Sequence, residues 1–336
     1  MNKKDKKKIL QKIQIKRGLY TKKRRIRYLR IKHIERDKSY SDKYFQFLIK
    51  NSIVKKIPSV FSLRENTIET IKFINSLKEL GNSNKRIYLN MKEVTIITNG
   101  TIALLLSVMN EFTAKGREII GSKPKNSKAK KILELSGFFD YMDGDIEYPS
   151  ETNSNTIVEQ SNKNVEPQST AKIVRSAMKT VTGVSQRNKK LQGLFIELMA
   201  NSINHGFPGC KSKKWIVSTS HYEDDKYVSF SFIDNGVGIL KTLNQKLGRK
   251  LATLFKGKHD LLQSAFKGEI GSRTGLPFRG KGLPFIQDKY DTNRISNLFI
   301  LTNNVILDYK NNKFYEIRVP YSGTFYYFEL NLNNKL

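Results

Sequence analysis

The chain has 336 residues, 38% of them hydrophobic, enough for two ordinary domains with real cores. Its formal net charge of +31, from 61 Lys+Arg against 30 Asp+Glu, points to polyanionic partners such as nucleic acid, an acidic protein or an anionic surface. One cysteine, Cys210, excludes an intrachain disulfide, and the longest apolar run, about Ile102 to Met109, excludes a spanning helix of roughly 20 residues.

The Met-Asn-Lys-Lys start has no apolar core behind it, so no secretory signal is expected. The expected setting is cytoplasmic, without a membrane. Residues 1–38 hold 17 Lys/Arg and 3 Asp/Glu. Ile9, Leu10, Ile13 and Leu19 recur loosely at helical spacing. Residues 1–58 are therefore expected to form a basic helical arm. Its cations suit nucleic-acid phosphates, but no aromatic stacking set accompanies them, and a solvated tail is the alternative.

Residues 59–148 read as a small α/β unit. Ile68, Ile71, Ile74, Leu77 and Leu80 give helical periodicity, and Arg86 to Met91 reads as a strand. Gly100 opens a long apolar helix from Thr101 to Phe112; a strand at Glu118–Ile120 and a helix from Lys128 to Leu135 follow. Strand and helix in alternation imply a parallel sheet with crossover helices. Ile96-Ile97-Thr98-Asn99-Gly100 and Leu133-Glu134-Leu135-Ser136-Gly137-Phe138 resemble the segments of a STAS domain. The acid usual in its phosphorylation turn is absent. Thr98 is then the conceivable acceptor, with a structural turn residue as the other reading.

Residues 149–170 are rich in Asn and Ser and read as a polar linker. Three segments of 171–336 then carry chemistry. In the first, Glu197, Asn201 and His205 recur every fourth residue on an amphipathic helix, so they share one face. An amide oxygen beside ligand phosphates suits magnesium, and a neighbouring carboxylate can polarise an attacking water. In the second, a strand ending in Asp234 runs into Gly236, Gly238 and Ile239. The glycines permit a tight turn close to a ligand, and the acid can accept from an exocyclic amine. In the third, Thr274-Gly275 and Arg279-Gly280-Lys281-Gly282-Leu283 lead into a helix. Such a glycine-rich start offers backbone N–H groups to phosphate.

In this order and spacing, with Asp234 37 residues after Glu197 and Gly280 46 after Asp234, the segments resemble the N box and two glycine boxes of GHKL ATPases. The resemblance implies an α+β chain: a C-terminal Bergerat sandwich with a mixed sheet, preceded by the STAS-like α/β domain and the basic arm. It implies ATP and Mg as cofactors. Asn201 would ligate the metal and Glu197 would be the catalytic base. Asp234 would hold the adenine amine, with Gly236, Gly238 and Ile239 shaping the floor. Thr274, Arg279, Gly280, Lys281, Gly282 and Leu283 would surround the phosphates, and the stretch 240–280 has the length and glycine content of an ATP lid. His205 has two readings, phosphate positioning or a helix end. His259 reads as lid surface, and Cys210 receives no role.

Three functions follow. One is an ATP-hydrolysing switch coupled to the STAS-like domain and a protein partner. Another is a serine/threonine kinase of the anti-sigma type. The third is a nucleic-acid-associated, ATP-gated regulator or defence effector using residues 1–38. A homodimer is a further expectation.

Overall fold

The computed structural model describes residues 46–83, 85–114, 119–136, 138, 155–160, 165–206, 215–252, 254–270 and 281–336. They fall into two compact units, Met1–Val54 with Lys85–Tyr88, and Lys55–Asn84 with Leu89–Leu336. The expected basic arm at 1–38 lies outside the described residues. In the first unit these are a helical stretch at 46–50 and parts of two strands, β1 (Ser52–Lys56) and β3 (Arg86–Asn90).

The second unit is α+β. Short strands β2 (Val60–Phe61) and β4 (Ile96–Ile97) pair in parallel, and just after β5 (Ile119–Gly121) the Ser122 N–H donates to the Leu89 carbonyl at 3.0 Å. Helices α1 (Thr67–Lys78), α2 (Asn99–Ala114) and α3 (Ser127–Leu135) accompany them. Asn126 caps α3, its Oδ1 accepting from the Ala129 N–H at 2.9 Å. Thr98 caps α2 in the same way, its Oγ1 accepting from the Thr101 N–H at 3.3 Å. The hydroxyl considered as a phosphate acceptor is thus in use as a helix cap.

The central feature is a five-stranded sheet in the order β6-β7-β8-β10-β9. Its strands are β6 (Asn155–Gln160), β7 (Trp215–Tyr222), β8 (Tyr227–Asp234), β9 (Ser296–Asp308) and β10 (Lys313–Asn331). Every pairing in it is antiparallel. This corrects the expected mixed sheet. β7 meets β8 across the tight turn Glu223–Lys226, and β9 meets β10 across an equally short one. Such hairpins impose antiparallel pairing, whereas parallel neighbours need a crossover. The linker expectation changes too: residues 155–160 pair with β7, from Asn155↔Ser220 to Gln160↔Trp215. Polar composition hid the β-branched Thr156-Ile157-Val158.

One face of the sheet packs on helices α4 (Pro167–Thr182), α5 (Lys189–Asn201), α6 (Ile239–Ala252), α7 (Lys258–Lys267) and α8 (Gly282–Asp291). Side chains alternate across a strand, so Trp215, Val217, Phe230, Phe232 and Phe328 all enter this core. Phe230 stacks on Phe328 at 5.2 Å and meets Phe195 edge-on at 5.3 Å. The stretch expected to be a lid is largely part of this layer. Leu261, Leu262 and Phe266 of α7 are buried, because α7 follows the apolar spacing of a core helix.

The opposite face carries the small residues Ser218, Ser229 and Ser231, all buried. Helix α2 lies against them. A Cβ on Gly100 would sit 2.5 Å from Ser231 Oγ and 3.1 Å from Phe325, so glycine sets the distance of approach. Asn99 Nδ2 donates to the Thr219 carbonyl at 3.3 Å and to Ser220 Oγ at 2.8 Å. Leu104, Leu105 and Leu106 are buried on successive sides of α2, as expected of a helix apolar all round. Their burial is worth on the order of 5–9 kcal/mol. The helix assigned to a separate STAS-like domain is therefore one layer of a three-layer body. Among the described residues, no helix is long and apolar enough to cross a membrane.

Candidate functional site

Helix α5 begins at Asn188, whose Oδ1 accepts from the Leu191 N–H at 3.0 Å. Leu191, Leu194, Phe195, Leu198 and Met199 bury one face. Glu197 and Asn201 sit on its half-buried flank, one turn apart. Beyond Asn201 the helix loosens into a π-helical turn, Ser202–Gly206, which carries the exposed His205. Turns of this kind re-aim side chains and recur at functional sites.

Asp234 ends β8 and is 5% exposed. Its Oδ1 accepts from the Gly236 N–H at 2.9 Å, and Thr324 stands directly opposite on β10. Burial pushes the Asp234 carboxyl up to about 6, opposed by hydrogen bonds from Gly236 and Thr324 and by the charge of Lys78. The turn after it is held from β9. Asn303 Nδ2 donates to the Val237 carbonyl at 2.9 Å, and Thr302 Oγ1 accepts from the Ile239 N–H at 2.9 Å. Gly238 has φ +85, and a Cβ there would run into the Asn303 amide. Only glycine meets both demands.

The third element is α8, which starts at Gly282. A Cβ on Gly282 would collide with Glu197 Oε1 and lie 2.9 Å from both amide atoms of Asn201. The start of α8 is thus pressed against the two polar residues of α5. A cleft open to solvent lies between these elements, and Asn201, His205, Asp234, Gly238, Ile239, Gly282 and Leu283 line it. Glu197 borders it through Gly282, and burial raises its carboxyl. Gly236 acts from behind, through its bond to Asp234. Lys281 is exposed at the cap of α8. Thr274, Arg279 and Gly280 lie outside the described residues, as does Cys210. His259 sits half-buried at the start of α7.

Asn201 Nδ2 and Ser202 Oγ are buried with no hydrogen-bond partner, a costly state for a polar group. The amide's O and N are interchangeable by a flip, so Asn201 can present either a donor or a metal-binding oxygen. Sequence reasoning missed Thr324 and Tyr326, which also line the cleft, and Thr302 and Asn303 behind the glycine turn. The alternation Thr324, Tyr326, Phe328 along one strand face was the available signal. Compared with known proteins, the chain matches no family model, and no curated protein is similar to it.

Proposed function

We propose that the cleft binds ATP with Mg²⁺, and that the chain is a GHKL-type ATPase acting as a nucleotide-dependent switch. The observation that carries this reading is the partnerless amide nitrogen of Asn201, interchangeable with its oxygen by a flip, in the same cleft as the buried carboxyl of Asp234. Asp234 accepts the adenine amine, a donor that would satisfy its desolvated oxygen. Asn201 and water hold the metal together with phosphate oxygens, a donor set that suits a small hard cation. When bound, the metal neutralises charge on the terminal phosphate. The N–H groups at the start of α8 bind the phosphates, and the missing Cβ of Gly282 lets that helix start pack directly against Glu197 and Asn201. Glu197 takes a proton from the attacking water, and burial, by raising its carboxyl above the usual carboxylate range, makes it a stronger base.

Coupling to the rest of the unit supports the switch. Asn235, next to Asp234, donates to Ser107 on α2, so a change at the cleft floor reaches the layer behind the sheet. Calorimetry with Mg-ATP tests the reading. Heat is expected at or below millimolar nucleotide for the unaltered chain and none for Asp234→Asn. No heat from the unaltered chain at millimolar ATP would overturn it.

A further inference from the structure

The hairpin formed by α4 and α5 carries a one-sign surface that the nucleotide reading does not use. From Pro167 to Ile196 there is no Asp or Glu, although the chain holds 30 of them. In the same stretch Lys172, Arg175, Lys179, Arg187, Lys189 and Lys190 are all exposed. On α4, residues 172, 175 and 179 fall on one face, opposite the buried Ile173, Ala177 and Met178. They span ~10 Å along the axis. Gln192 Nε2 donates to the Pro167 carbonyl at 3.2 Å, which holds the two helices, and so their cations, side by side.

None of these six cations makes an ion pair with the described residues. Elsewhere in the unit cations do find acids: Lys72 meets Glu69, Lys125 meets Glu93 and Lys258 meets Glu316. What sets this face apart is the run of thirty residues, 167–196, without a single acid. Crowding like charges opposes folding, so nothing in the fold accounts for the arrangement.

We propose that this face docks on the phosphodiester backbone of double-stranded nucleic acid. Its chemistry favours a duplex over a single strand, because a strand binder needs stacking rings and the stretch's one aromatic, Phe195, is fully buried. It favours nucleic acid over a lipid surface, because Val184 is the one exposed large apolar side chain there and an interfacial helix needs an apolar face. Contact is with backbone and independent of sequence. The proposal does not depend on ATP binding.

The test measures binding of the full chain to a short random-sequence DNA duplex, and in parallel an RNA duplex, from ~50 to ~200 mM salt. One variant carries Lys172→Ala, Arg175→Ala, Lys189→Ala and Lys190→Ala. A control of equal charge loss carries Lys310→Ala, Lys313→Ala, Arg318→Ala and Lys335→Ala, all exposed. The first should weaken binding at least ~tenfold and flatten the slope of log K on log salt by about 3. The control should stay within about twofold. Equal weakening by both variants, or by neither, overturns the assignment. So does polyglutamate competing as well as a duplex of equal charge. On the unaltered chain, formaldehyde crosslinks to the duplex should map to Lys172, Lys179, Lys189 or Lys190, and adducts confined to other segments overturn it even if a variant misfolds.

Discussion

Asn235 Nδ2 donates to Ser107 Oγ at 2.7 Å, across 128 positions of sequence. The Ser107 hydroxyl in turn donates to the Leu104 carbonyl at 2.7 Å, so it is used as both acceptor and donor. Asn235 Oδ1 has no partner, which leaves this one bond holding the side chain. Ser107→Ala should strip the amide of its last partner and cost about 1–3 kcal/mol. A lower urea midpoint at unchanged m-value would show it. An unaltered midpoint would mean that the bond does not couple the cleft to α2.

Gly100 makes a related prediction on the same helix. Its Cβ position meets Ser231 Oγ at 2.5 Å, and both partners are buried. Gly100→Val should push α2 off the sheet and cost about 1–3 kcal/mol or more, while Gly183→Ala, with nothing near its Cβ position, shows only the smaller strain of a left-handed backbone. Equal losses at the two sites would contradict the packing of α2 on the sheet.

The pH dependence of stability follows from Asp234. Its carboxyl ordinarily titrates near 3.8, and in the fold near 6. Between these values the folded chain keeps a proton that the unfolded chain has released. Stability therefore falls as pH rises from about 4 to about 6, by about 3 kcal/mol for a gap of this size. Asp234→Asn should flatten that part of the profile and raise stability at pH 7 while abolishing nucleotide binding. Denaturant titrations at both ends of the window would decide it, and a variant profile parallel to the parent's would refute the assignment.

Gly282→Ala should act on binding. The new methyl collides with Glu197 Oε1 and crowds Asn201, so Mg-ATP affinity should drop at least ~tenfold, about 1.4 kcal/mol. Thermal melting should change little.

Glu197→Ala separates binding from chemistry. The variant should retain Mg-ATP binding by calorimetry and lose phosphate release. Turnover at the parent rate would remove Glu197 as the base.

The local segments of the site were legible from residue order alone. Glu197 and Asn201 share a face because a helix repeats every 3.6 residues, and Asp234 ends a strand because apolar residues alternate up to it. Gly238 announced a backbone no other residue adopts easily. Such facts depend on a few neighbours in the chain, which sequence displays directly. The buried state of α2 was also visible, in its long, mostly apolar run.

Only the tertiary structure decided what that run is buried against. Ser218, Ser229 and Ser231 alternate with the apolar residues of their strands, and they are the bed on which α2 lies. Their short side chains allow a close approach that larger ones would prevent. The place of residues 155–160 at the sheet edge and the meeting of Gly282 with Glu197 were likewise set by contacts between segments far apart in sequence. Propensity is local, whereas register and layer order come from shape and hydrogen bonding across the whole body.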